Sequence, residues 1–298
     1  MKIYNQLDKM KRIKFILFLA VVLVLSACGT TQTVPLTGRK HNLLFSDSEI
    51  LSYSNKEYST YMLSAKKSTD VASTAMVQRV GKRLAAAVET YLKNNNMASE
   101  IQNYSWEFNL VASKEVNAFC MPGGKIVVYE GLLPVTQNEA SLAVVLGHEI
   151  AHAVAKHSAE QMSKKARQQY GTMALGTILN SAVGSGTGDI ASGIAGEYFS
   201  FRNLKYSRNN ESEADYIGLI FAAMAGYNPE VAVSFWQRMA AQGGSSNNND
   251  LFSDHPSDSK RIAAIEALMP NALKYYQASG YANNNNPVKK SIRKSNRR

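Results

Sequence analysis

The sequence predicts an α+β fold, mainly α-helical, with a small β-sheet beside one central helix. Three observations carry that prediction. Apolar residues recur every three or four positions through most of the chain from Ser46 to about residue 278. Only two short segments, Tyr104–Ala112 and Lys125–Tyr129, have strand character, and the turn Met121-Pro122-Gly123-Gly124 leads into the second. A long helical pattern over about 137–167 contains VVLGHEIAHAVAKH, Val144–His157, whose only ionisable residues are His148, Glu149, His152, Lys156 and His157.

The 298 residues, 45% of them hydrophobic, suffice for a domain with a packed core. The net charge of +10 invites a nucleic-acid reading, but its distribution argues against one. Residues 1–27 carry +4 and residues 284–298 carry +6, which leaves the body neutral and indicates no nucleic-acid partner. The first basic stretch precedes Phe15–Leu25, eleven uninterrupted apolar residues. Such a run is short of the roughly 20 residues that span a bilayer and has the size of a signal-peptide core. Leu25-Ser26-Ala27-Cys28 follows and resembles the lipobox of bacterial lipoproteins. That resemblance implies removal of 1–27 and lipid on Cys28. Acyl chains, at ~0.8 kcal/mol per buried methylene, would anchor the protein to a membrane without a spanning helix. Gly29 after the cysteine, in place of an acid, favours the outer membrane by analogy with enteric bacteria. With Cys28 lipidated, Cys120 has no intrachain partner; no disulfide is expected, and Cys120 is assigned no chemistry.

Residues 28–45 read as a tether, and the folded domain is expected over 46–282. Ser46 and Glu49 have the spacing of a capping box and open a helix to about Lys67. A second amphipathic helix runs from Val71 to about Leu92, with Val77, Val80, Leu84, Val88 and Leu92 on one face. Tyr104–Ala112 alternates, placing Trp106, Phe108 and Leu110 together, and forms the sheet with Lys125–Tyr129. Further helices are expected over about 137–167, parts of 172–200, 209–225, 229–241 and 258–278. Residues 171–196, with seven glycines, read either as a lid over a cleft or as a plain insertion. Residues 283–298 form a basic, Asn-rich tail with too little apolar surface to fold alone.

The chemistry lies in the His-Glu-His pattern. On a helix, residues four apart share a face, so His148 and His152 can both reach one zinc ion at ~2.0–2.1 Å. Glu149 is rotated some 100° from His148, beside the metal, where a base can take a proton from water. A core helix would avoid three ionisable groups in so apolar a segment, because buried charge is costly unless paired or bound to metal. His157 sits nearly 180° around a continuous helix from His148 and is expected at the surface. A third ligand must come from elsewhere. Asn210–Asp215 (NESEAD) places Glu211 and Asp215 on one face, with Glu213 pointing away. Glu211 could bind metal while Asp215 holds a ligating imidazole by its other N–H. Acids favouring a helix N-terminus explain the same residues equally well.

HExxH followed about sixty residues later by Glu211…Ala214-Asp215 resembles the zinc endopeptidases of peptidase family M48, which include CAAX prenyl protease, HtpX and Oma-like proteases. Asn117-Ala118-Phe119 with Pro122-Gly123-Gly124-Lys125, Gly131-Leu132-Leu133, and Asp254-His255-Pro256-Ser257 with Arg261-Ile262 extend the resemblance over about 70–275. It implies a gluzincin-type domain with one zinc held by His148, His152 and Glu211, Glu149 as catalytic base, and Asp215 supporting a ligand. It also implies substrate added as an extra β-strand along Asn117 and Gly124, Lys125, Ile126 and Val127. His255 is expected either to stabilise the oxyanion or to cap the zinc, unless it merely enters a helix. Arg208 and Arg261 are weaker candidates for pairing with the site's acids. The function expected is a lipid-anchored, periplasm-facing endopeptidase of a bacterial envelope, acting in quality control on misfolded or unassembled proteins. The alternatives are a chaperone-like binding lipoprotein whose zinc is structural, and a membrane-surface binder driven by the basic tail.

Overall fold

The structure, a computed structural model, describes residues 29–168, 200–201, 204–242 and 259–281. The expected signal peptide 1–27, Cys28, the glycine-rich segment 171–196, His255 and the tail 283–298 lie outside the described residues. No described helix is long and apolar enough to cross a membrane.

The described residues divide into two compact units. The smaller comprises 29–33, 40–46 and 159–168. In it β1 (Thr30–Thr33) pairs antiparallel with β2 (Lys40–Leu43), from Thr30↔Leu43 to Thr33↔Lys40. Leu44 N–H donates to Ser163 Oγ at 2.9 Å, and the Arg167 guanidinium donates to the Asn42 carbonyl. The expected tether is thus corrected to paired strands. Three β-branched threonines favour extended backbone, but TTQT is too short and too exposed to alternate legibly.

The larger unit holds the connecting loop Val34–Arg39 and the described residues of 47–158 and 199–298. Its helices are α1 (Asp47–Ser64), α2 (Val71–Asn94), α3 (Leu133–Thr136), α4 (Glu139–Val154), the first two residues of α5 (157–168), α6 (Arg208–Met224), α7 (Val231–Gln242) and α8 (Ser259–Ala278). The five apolar residues expected on one face of α2 are all fully buried. Asn138 opens α4, its Oδ1 accepting from Ser141 N–H at 2.8 Å, and Ser207 opens α6 by accepting from Asn210 N–H. From Ser141 onward every residue of α4 is buried, packed against α2, α6, α7 and the sheet.

The sheet has three strands, β3 (Glu107–Val111), β4 (Ala118–Met121) and β5 (Lys125–Tyr129), in the order β3-β5-β4. The Met121–Gly124 turn joins β4 to β5, which pair antiparallel, while β3 runs parallel to β5. β4 was not expected. All four of its residues are buried, so it shows no polar alternation.

Two differences shape the site. The expected helix over 137–167 stops at Val154. Ala155 caps it, and Lys156 takes a left-handed conformation, φ 53°, before helix resumes at His157. The Lys156 ammonium is held at 2.8 Å by both Asp47 and Glu100, which fixes this turn. Second, α4 and α6 cross with their backbones in contact at Gly147 and Gly218. A Cβ on Gly147 would lie 2.6 Å from the Gly218 carbonyl oxygen, and one on Gly218 would lie 2.5 Å from His148 N. Gly147→Ala or Gly218→Ala is therefore expected to cost roughly 1–3 kcal/mol by overpacking and to weaken metal binding by parting the ligands. Urea unfolding and a zinc titration check both. An unchanged midpoint and affinity would show that the crossing can widen freely.

Candidate metal centre

α4 and α6 supply the centre. His148 and His152 lie one turn apart on α4, and Glu211 is in the first turn of α6. All three are buried. Their donor atoms lie close together: Nε2 to Nε2 at 3.1 Å, His148 Nε2 to Glu211 Oε2 at 3.4 Å, and His152 Nε2 to Glu211 Oε1 at 3.4 Å. Ligands at ~2.0–2.1 Å around a tetrahedral ion are about 3.3 Å apart. The spacing fits.

The chemistry of the donors fits as well. His148 Nδ1 lies 2.9 Å from Asp215 Oδ1, and His152 Nδ1 lies 2.9 Å from His157 Nδ1. A neutral imidazole that donates from Nδ1 keeps a bare lone pair on Nε2. Two such lone pairs 3.1 Å apart, facing a carboxylate, call for a cation or a proton between them. Among the described residues these three are the one group able to hold a metal, which leaves a fourth tetrahedral position.

Around the donors, Asp215 accepts two hydrogen bonds from Arg261, Nε to Oδ2 and Nη2 to Oδ1, both at 2.8 Å. Arg261 also lies over the Trp236 ring at 3.8 Å, with Nη1 3.6 Å from Glu211 Oε2. Burial disfavours a charged Asp215, but Arg261 and His148 outweigh it and hold its pKa below the usual range. The Tyr206 ring stacks on His152 at 4.0 Å. Glu149 is buried on α4; burial, and after it the Glu149 charge, push the Cys120 thiol well up, so Cys120 stays neutral.

The structure brings His148, His152, Glu211 and Asp215 together, with Glu149 next to His148 on α4. Arg261 joins the acids; Arg208 is exposed. One reading is corrected: His157 is not at the surface but fully buried, because the turn at Lys156 swings it back against His152. Glu213 points away from Glu211 and Asp215 and is buried on its own partners: its Oε2 lies 3.0 Å from His157 Nε2 and accepts from Arg39 Nε at 2.8 Å, while Oε1 accepts from Thr37 Oγ1 at 2.6 Å. Burial opposes its charge, yet these three partners outweigh it and hold its pKa down at about 2.

The expected strand of substrate contacts also changes. β5 is central, with both edges already paired, so Lys125, Ile126 and Val127 cannot add a further strand. Lys125 Nζ instead donates to the Ser105 carbonyl and to Glu107 Oε1, at 2.6 and 2.7 Å. Gly124 lies under the Trp106 ring, 2.4 Å from where a Cβ would stand. Asn117 gives its carbonyl to Tyr129 N–H and its Oδ1 to Ala118 N–H. The outer side of β3 bonds residues 66 and 68. Among the described residues that leaves the outer side of β4, next to α4, where Ala118 and Cys120 direct their backbone groups.

Residues 72–269 match peptidase family M48. The chain belongs to that family. It is 37% identical to the mitochondrial metalloendopeptidase OMA1 of Schizosaccharomyces pombe over 218 residues, 72% of this chain and 58% of that protein. It is 30% identical to the human mitochondrial metalloendopeptidase OMA1 over 248 residues, 82% of this chain and 47% of that protein. It is 33% identical to the beta-barrel assembly-enhancing protease of Yersinia pestis over 141 residues, 46% of this chain and 29% of that protein. The chain spans at most 58% of the length of these relatives. Family M48 is zinc-dependent, and the donor set of this M48 domain suits that metal.

Protons compete with the metal here. Burial alone disfavours a charged His148, but the hydrogen bonds and charges of Asp215 and Glu211 outweigh it, and in the metal-free domain its pKa rises from 6.5 to about 9. A raised histidine pKa stabilises the fold fully below the unfolded value near 6.5, and that contribution fades as pH rises through about 9. Zinc must displace the proton, so its affinity moves the opposite way and rises with pH over the same window. Thermal unfolding of metal-free protein and chelator-competition titrations from pH 6 to 9 are expected to show these opposite slopes.

Proposed function

We propose that the protein is a zinc-dependent endopeptidase of a bacterial cell envelope, held to the membrane by lipid on Cys28 and facing the periplasm, that cleaves misfolded or unassembled proteins. The observation that carries the reading is the three-donor cluster at tetrahedral spacing with the buried Glu149 adjoining His148 on the same helix. A structural zinc site uses four protein ligands, whereas a catalytic one keeps an open position.

When bound, zinc polarises a carbonyl and lowers the pKa of water from ~15.7 to about 7. Glu149 is the base in this scheme: its carboxylate takes a proton from the attacking water and hands it to the leaving amine. Glu211 contributes the one negative charge among the three donors, and Asp215, fixed by Arg261, orients His148. An extended backbone laid along the outer side of β4 would run beside α4, so sequence would matter less than unfolding. The envelope setting draws on the lipobox pattern and on the relative named a beta-barrel assembly-enhancing protease, since such barrels assemble in bacterial outer membranes.

Glu149→Gln is expected to retain zinc while cleavage of an unfolded protein falls on the order of 10²–10⁴-fold. Peptide release and metal content, measured together, check this. Retained cleavage would remove Glu149 from the mechanism. Zinc binding without cleavage by the unmodified protein would favour the binding lipoprotein. Cys28→Ser is expected to move the protein from the membrane to the soluble fraction on cell fractionation, and unaltered membrane retention would remove the lipid anchor.

A further inference from the structure

His148 and His152 are supported differently. Asp215 accepts from His148 directly, whereas the ring nitrogen of His152 that faces away from the donor cluster meets another imidazole. From that imidazole a continuous line of hydrogen bonds leads to the loop between β1 and β2. His152 Nδ1 lies 2.9 Å from His157 Nδ1, His157 Nε2 lies 3.0 Å from Glu213 Oε2, and Glu213 accepts from Thr37 Oγ1 and from Arg39 Nε and Nη2.

With a neutral His157 the direction of every bond in this line follows. Thr37 and Arg39 donate, so Glu213 accepts as a carboxylate. His157 Nε2 must then carry hydrogen, which leaves its Nδ1 as the acceptor. His152 Nδ1 therefore donates, and its Nε2 keeps the lone pair that faces His148 and Glu211. We propose that His157 and Glu213, clamped by Thr37 and Arg39, are positioning residues that set the tautomer and ring orientation of His152. The proposal rests on His152 being a zinc ligand. It gives the loop Val34–Arg39 a part in the metal centre.

The test uses the full-length protein, with zinc affinity measured by competition with a chromophoric chelator and ligand geometry read from the visible absorption of the cobalt-substituted form. Metal-free thermal unfolding is followed separately. His157→Leu is expected to weaken zinc binding about 10–100-fold, the usual effect of losing such a partner, and to shift the cobalt bands. His157→Gln, whose amide can accept from His152 and donate to Glu213, is expected to recover most of both. Glu213→Gln and then Arg39→Leu are expected to give progressively smaller losses, in order of distance from His152. They carry the test if His157→Leu does not fold.

Wild-type zinc affinity and cobalt spectra in Glu213→Gln and Arg39→Leu, with His157→Gln no better than His157→Leu, would overturn the proposal and make His157 a packing residue. Failure of the unmodified protein to bind zinc would instead overturn the metal-centre reading, and the proposal with it.

Discussion

The metal centre depends on two helices touching where neither has a side chain. Packed helices ordinarily lie 8–10 Å apart because side chains separate them. At Gly147 and Gly218 there is nothing to separate, and the backbones of α4 and α6 meet one residue from His148. From that contact the geometry propagates along two rigid rods. His152 lies one turn beyond His148, and Glu211 lies two turns before Gly218. The ligand spacing is therefore set by backbone contact within a close-packed interior, which has little freedom to relax.

Such proximity concentrates charge. Glu149, Glu211, Glu213 and Asp215 are all buried within two helices. Buried carboxylates are tolerated only when each finds charge-assisted hydrogen bonds. Asp215 has Arg261 and His148; Glu213 has Arg39, Thr37 and His157. Glu211 has the weaker company of two imidazoles at 3.4 Å and one guanidinium nitrogen at 3.6 Å. It is the acid that stands with the two imidazoles in the group able to hold a metal. The same balance places a proton on His148 when the cation is absent.

Several parts of this arrangement were legible from sequence because the signal was local. The buried face of α2 follows from a repeat every three or four residues, and the pairing of His148 with His152 from a spacing of four. Glu211 and Asp215 were half legible: their spacing suits a metal site or a helix N-terminus equally, and only the family resemblance separated the two. β4 was hidden because burial on both faces erases alternation, and the parallel pairing of β3 with β5 involves partners that no periodicity connects. His157 was misplaced because nothing at Lys156 announces a left-handed residue. Lysine is an ordinary helix former, and its conformation is held by Asp47 and Glu100, both more than fifty residues away in sequence. The partners of Glu213 were hidden for the same reason, Arg39 lying 174 residues earlier.

The break after Val154 has a consequence that a continuous helix could not supply. Two histidines four apart aim their Nε2 atoms at one point, but their Nδ1 atoms need separate acceptors. The acidic first turns of α6 reach one of them, through Asp215. They cannot also reach the second directly, since Glu213 is rotated about 200° from Glu211 around the same helix. The left-handed turn at Lys156 solves this by folding His157 back between His152 and Glu213, so that a carboxylate on the wrong face still governs the second imidazole. Both ligands thus end on acids of a single helix, one by direct contact and one through an intervening ring. A motif that reads as three letters on α4 is, physically, an assembly of α4, α6, the turn between α4 and α5, and the loop that precedes β2.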